Sequence, residues 1–258
     1  MDQPFWIGTS WKMNKTLAQA RNFTRTLRAS TLLDSDERLQ GFVIPPFTAL
    51  ETVCRELADE SVMVGAQNMH WADAGAFTGE VSPTMVIDCG ADIVELGHSE
   101  RREYFNETDE AVNRKVKAAL AHGLRPLICI GETATEKALG ATEETVLRQA
   151  KIALSGVSAE QLGRCLLAYE PVWAIGDGGS PATPEYAQWI HRCLREALPR
   201  TADDQPLPVL YGGSVNEDNC ADLAALPEVA GLFIGRAAWD ADGYLRIVSK
   251  VANARLAA

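Results

Sequence analysis

Eight short apolar runs, each followed by a helix-like stretch, constrain this sequence more than any other feature. They lie at 5–10, 41–44, 61–67, 92–97, 126–131, 165–169, 208–212 and 231–235. Nearly continuous apolar runs of this length read as parallel strands buried on both faces; a strand with one wet face would alternate apolar and polar residues. The stretches between them carry helix-start signals. Ser82-Pro83 reads as an N-cap followed by proline, Thr108-Asp109-Glu110 opens with acids, and Thr183-Pro184-Glu185 combines the two. Thr48 and Glu51 have the spacing of a capping box. Between 111 and 121, Val112, Val116, Ala119 and Leu120 fall on one helical stripe, and Gly123 then stops the helix. Eight such units in 258 residues, with no linker or shift in composition, predict an α/β fold: one (β/α)8 barrel forming a single domain over 1–258. A doubly wound sheet shares the alternation, but the Gly-rich dinucleotide turn is missing after the first run.

Charge narrows the partners. The 24 basic and 35 acidic residues leave a net charge of −11, which argues against nucleic acid and against an anionic membrane surface. No apolar run approaches the roughly 18 residues that cross a bilayer. The start of the chain, Met1-Asp2-Gln3-Pro4-Phe5, lacks the basic and apolar regions of a secretory leader. Cys54, Cys89, Cys129, Cys165, Cys193 and Cys220 lie far apart with no C-x-x-C pair; several fall in apolar runs and read as small core residues, as expected in a reducing, cytoplasmic protein. An anionic ligand would therefore need local positive potential from backbone N–H groups, helix N-termini and a few placed cations.

In a barrel of this kind the C-terminal strand ends form the mouth that carries the chemistry. The first run ends in Ser10-Trp11-Lys12-Met13-Asn14, placing a lysine where it can meet an anion, although a solvated surface lysine is the plainer reading. The third leads through Gln67-Asn68 into a loop over 69–80, long enough to serve an interface. The fourth leads into Gly97-His98-Ser99-Glu100-Arg101-Arg102. Of the four histidines His98 alone sits at a strand end, and a helix starting behind it disfavours its charged form. His70 falls in the long loop, while His122 and His191 have helical surroundings and read as structural or solvated. The sixth run delivers Glu170. Pro171, the apolar tip Val172-Trp173-Ala174-Ile175 and the segment from Gly176 to Pro181 follow, with Thr183 opening the next helix. Stiff ends around a greasy, glycine-containing tip suit a lid that expels water; the alternative is a packed surface loop. The seventh and eighth runs end in glycine turns, Tyr211-Gly212-Gly213-Ser214-Val215 and Ile234-Gly235-Arg236, whose N–H groups can cradle phosphate.

The stretches WKMN at 11–14, GAQN at 65–68, GHSERR at 97–102, CIGE at 129–132, AYEPVWAIG at 168–176 and YGGSV at 211–215 resemble the triosephosphate isomerase family, in order and along the whole chain. The resemblance implies a TIM barrel that isomerises a phosphorylated sugar by proton transfer through an enediol. Glu170 would be the base and His98 a neutral electrophile, a pairing for which triosephosphate isomerase is itself the standard example. Lys12 would balance the negative charge of intermediate and phosphate. Gly176, Ser214, Gly235 and Arg236 would supply phosphate-binding N–H groups, with Gly176 arriving as the lid closes. Ser99, Glu100 beneath Lys12, Cys129, and Tyr211 as a latch on the lid would support them. No metal or organic cofactor is implied. A homodimer is, with Thr78 entering the neighbour's site and Glu80 and Arg101 at the interface.

Three positions depart from the family pattern: Ser10 stands where asparagine is usual, Arg236 where a second glycine is usual, and Asp177 where the lid has threonine. With GTSWKMNK at 8–15, NMHWAD at 68–73 and GLFIGRAAW at 231–239, they resemble a sister branch of erythritol catabolism. That branch interconverts L-erythrulose 1-phosphate and D-erythrulose 4-phosphate. Its substrate has one more hydroxymethyl group than a triose phosphate, and the short Ser10 side chain makes room for it. Two alternatives stay open on the sequence: triosephosphate isomerase of glycolysis and gluconeogenesis with a drifted pocket, and a phosphate-binding barrel without turnover.

Overall fold

A computed structural model describes residues 3–34, 36–176 and 179–256; Asp177 lies outside the described residues. Among the described residues eight strands form the sheet: β1 (Phe5–Ser10), β2 (Leu39–Ile44), β3 (Met63–Ala66), β4 (Ile93–Leu96), β5 (Arg125–Ile130), β6 (Leu166–Tyr169), β7 (Val209–Tyr211) and β8 (Gly231–Ile234). Each pairs in parallel with the next, and β8 returns to β1 with Thr9 opposite Ile234, closing a (β/α)8 barrel without a free edge. The strands match the predicted runs to within two residues at either end.

Strand alternation then sorts the side chains into two cores. Trp6, Phe42, Ile93, Leu127, Leu166, Leu210 and Phe233 point inward and fill the barrel, with the Phe42 and Phe233 rings stacked 5.7 Å apart. Ile7, Val43, Val94, Ile128 and Leu167 point outward and pack under the helices. Both faces are dry, which is why the runs read as continuous rather than alternating.

The helix starts behave as their chemistry dictates. Ser82, Thr108 and Thr183 each accept a backbone N–H three residues on, from Met85, Ala111 and Tyr186. The expected capping box at Thr48 and Glu51 does not form. Pro46 is the N-cap of the helix Phe47–Glu56, held extended at ψ 155, so the helix is already under way when it reaches Thr48. Capping boxes occur instead at Thr133 with Glu136 and Ser158 with Gln161. The six cysteines are free thiols. Among the described residues no helix is long and apolar enough to cross a membrane.

Candidate active site

At the mouth, the inward positions continue upward as polar groups. A cavity of about 390 Å³ brings together Ser10, Lys12, His98, Glu170, Gly176, Ser214, Gly235 and Arg236, with Glu100 at its edge. These come from the ends of β1, β4, β7 and β8 and from the segment after β6. Residues from all over the chain thus converge because a parallel barrel aligns every strand end on one face.

Lys12 has φ 53, a left-handed conformation that a residue with a side chain adopts only when its surroundings hold it there. Gln67, from the loop after β3, donates Nε2–H to the Lys12 carbonyl at 2.9 Å, and the Lys12 ammonium sits 2.7 Å from Glu100 Oε1. The charge is thereby held at the cavity wall.

His98 is the N-cap of the helix Ser99–Phe105, and its Nδ1 accepts the Glu100 N–H at 3.1 Å. A neutral imidazole with Nδ1 accepting carries its proton on Nε2. That nitrogen lies 3.3 Å from Glu170 Oε1 and 3.9 Å from Glu95 Oε1. Burial, and then the charges of Lys12 and Arg101, push the imidazole down to about 3, so it is a neutral donor at any physiological pH. The direction matches the sequence expectation. Its largest cause is burial.

Glu170 is 3% exposed, and the Ser99 N–H donates to its Oε2 at 3.5 Å. Burial raises the carboxyl to about 7 against the opposing pull of Lys12. A carboxyl held there can take up or release a proton near neutrality. Gly212 makes room for it: a Cβ there would lie 2.8 Å from Glu170 Cγ. Cys129 is fully buried, and burial followed by the Glu170 and Glu95 charges holds its thiol well above the usual range.

Glu132 and Tyr211 hold the two ends of the segment after Glu170. Buried Glu132 accepts hydrogen bonds from Trp173 Nε1 at 2.7 Å and from the hydroxyls of Tyr169 and Tyr186. The Lys137 ammonium lies 3.1 Å from the Trp173 ring centroid. At the other end, Tyr211 Oη accepts the Ala182 N–H at 3.3 Å. Thr78 and Glu80 are exposed on the long loop outside the cavity, and Arg101 pairs with Glu107 of the same chain at 3.4 Å. His70 organises that loop by stacking on Trp71 and packing tilted against Phe77, His122 pairs with Asp73 at 2.6 Å, and His191 is buried with Nδ1 3.3 Å from the Glu228 carbonyl oxygen.

Glu95 escaped the sequence reading. It is 2% exposed, points inward from β4, and accepts the Ser10 Oγ–H at 2.8 Å. Burial and the Glu170 charge push it up to about 8. The available signal was a lone carboxylate inside the apolar run 93–96. Trp239 was missed as well: its Nε1–H donates to the Ser10 carbonyl at 2.9 Å. Glu95, His98 and Glu170 also bring three candidate metal-ligating atoms within 4.8 Å of one another. The tautomer of His98 turns an N–H rather than a lone pair toward the carboxylates, which is a hydrogen-bonding arrangement and not a coordinating one.

A base near neutrality, a neutral donor and an ammonium around one cavity are the equipment for moving a proton beside the carbonyl of an anionic substrate. The chain belongs to the triosephosphate isomerase family, whose model matches residues 5–251. Relatives named L-erythrulose-1-phosphate isomerase include that of Rhizobium etli, 56% identical over 96% of this chain and 93% of its own length. Those of Rhizobium meliloti and Brucella abortus are 55% and 53% identical, each over 96% of this chain and 97% of its own.

Proposed function

We propose that the protein interconverts L-erythrulose 1-phosphate and D-erythrulose 4-phosphate through an enediolate, in erythritol catabolism. The observation that carries the chemistry is Glu170 Oε1 at 3.3 Å from a neutral His98 Nε2, with Lys12 held on Glu100 across the cavity. Glu170 removes the proton from carbon 3 of the 1-phosphate and returns it to carbon 2. The His98 Nε2–H faces the two oxygens and passes a proton from the carbon-3 hydroxyl to the carbon-2 oxygen as the double bond shifts. Lys12 stabilises the negative charge that develops. The phosphate rests on the turns at Gly176, Ser214 and Gly235, and Arg236, at the start of the short turn Arg236–Ala238, adds a guanidinium beside them. The names of the relatives, at 53–56% identity across almost the whole chain, support the four-carbon substrate. So does Ser10, shorter than the family's asparagine.

The working unit is a homodimer in the cytoplasm. The segments after β1, β3 and β4, loops and short helices together, carry exposed apolar side chains, Met13 at 96% and Phe77, Met85 and Phe105 near half or more, of the kind a second copy would cover. Thr78 and Glu80 lie on the same long loop, and Arg101 beside Phe105. The deciding assay is steady-state turnover of L-erythrulose 1-phosphate beside glyceraldehyde 3-phosphate. A large preference for the tetrulose phosphate is expected; a large preference for the triose phosphate would make this a glycolytic isomerase.

A further inference from the structure

The proposed reaction leaves the buried carboxyl of Glu95 without a task. Glu95 sits beneath the cavity, on the strand opposite β8 in the ring, away from the glycine turns that would take the phosphate. Its Oε2 accepts from Ser10 Oγ at 2.8 Å, while its Oε1 stays 3.9 Å from His98 Nε2, beyond hydrogen-bond range. In this geometry it engages Ser10 and leaves His98 to Glu170.

A serine hydroxyl has one proton and two lone pairs. With its proton committed to Glu95 Oε2, and the carboxyl's own proton carried on Oε1, Ser10 offers lone pairs to the cavity it lines. Its backbone is fixed as well, because Trp239 Nε1–H holds the Ser10 carbonyl at 2.9 Å. Presented this way, Ser10 accepts a hydrogen bond and does not donate one. That polarity is opposite to an amide N–H2, which would donate to a carbonyl or enediolate oxygen. It fits a group the four-carbon substrate has and a triose phosphate lacks: the hydroxyl of its added hydroxymethyl group on carbon 4, which needs an acceptor once it is buried.

We infer that Glu95 is a specificity-determining positioning residue: by holding the Ser10 proton it makes Ser10 the acceptor for the terminal hydroxyl of the tetrulose phosphate, at the end of the cavity away from the phosphate turns. The inference rests on the four-carbon substrate reading above.

The test compares L-erythrulose 1-phosphate with its 4-deoxy analogue, in which a methyl replaces the hydroxymethyl group, in the unaltered protein and in Ser10→Ala, Glu95→Leu and Glu95→Gln. The unaltered protein should prefer the full substrate by about 10- to 100-fold in kcat/KM, the scale of one buried hydrogen bond. Ser10→Ala and Glu95→Leu should abolish that preference, chiefly by raising KM for the full substrate. Glu95→Gln should keep it, since the amide oxygen still accepts from Ser10. Circular dichroism of each variant checks that the barrel is folded, and Glu95→Gln carries the test if Glu95→Leu does not fold. Equal losses on both compounds, or loss of preference in Glu95→Gln, would overturn the proposal. Turnover of both compounds without discrimination by the unaltered protein would sink this proposal alone. Turnover of neither, with triose phosphate turned over, would sink the substrate reading and this inference with it.

Discussion

Glu95→Gln is expected to stabilise the protein, by a margin that grows with pH. Burial, and then the charge of Glu170, raise the Glu95 carboxyl from 4.5 to about 8. The folded state therefore holds this proton more tightly than the unfolded chain does. Stability is fully present below about pH 4.5 and is lost as the pH rises toward about 8. At about 1.4 kcal/mol per pH unit, the carboxyl costs roughly 3 kcal/mol near pH 7 and under about 1 kcal/mol near pH 5. Glutamine does not titrate, keeps an acceptor for Ser10, and gives back on the order of 1 kcal/mol for a poorly paired amide N–H2. A net gain of about 2 kcal/mol near pH 7 follows, equivalent to roughly 4–8 °C in Tm for a chain of this size. Glu170 is raised in the same direction in both proteins, so the comparison cancels its contribution to first order. Urea unfolding of the two proteins at one protomer concentration, stepped from about pH 5 to about pH 8, reads the difference directly. A difference that stays constant across that range, or shrinks as the pH rises, would refute the placement of a protonated carboxyl under Ser10. A group that lowers stability yet sits under the reacting end of the cavity is what a trade of stability for function looks like.

Glu170→Gln should lower kcat by about 100- to 10,000-fold with the fold intact by circular dichroism; near-normal turnover would remove Glu170 from the base position. For the unaltered protein, kcat/KM should rise with pH through about 7 as Glu170 ionises, while His98, held near 3, contributes no step. A pH–rate profile with a protonated histidine required would contradict this. Gly212→Ala places a Cβ 2.8 Å from Glu170 Cγ and should cost about 100-fold in kcat by displacing the base, with little change in Tm. Sedimentation at micromolar concentration should show a dimer that Met13→Asp dissociates; a fully active monomer would refute the proposed interface.

Much of this protein is local and therefore legible in the sequence. The eight runs declare strands because a strand buried on both faces must be apolar along its length. Glu170, His98 and Lys12 are legible because they follow strand ends, and a parallel barrel sends all of those ends to one mouth. Thr183 with Pro184 declares a helix start through a bond that spans three residues. The capping box at Thr48 misled because Pro46, two residues earlier, had already begun the helix.

What the tertiary structure decided is everything that depends on partners far apart in the chain. Ser10 and Glu95 are 85 positions apart and Ser10 and Trp239 are 229 apart; both pairs meet only once the barrel closes and its strand register is set. In the sequence, Ser10 is simply a smaller residue that makes space. In the fold its hydroxyl donates to Glu95, which fixes the direction of its lone pairs. The perturbed carboxyls of Glu95 and Glu170 and the neutral His98 have the same origin, since desolvation is a property of the closed mouth and not of any stretch of chain. The sequence by itself determined the barrel and the residues at its mouth; the barrel's closure determined which of them touch, and so what each can donate or accept.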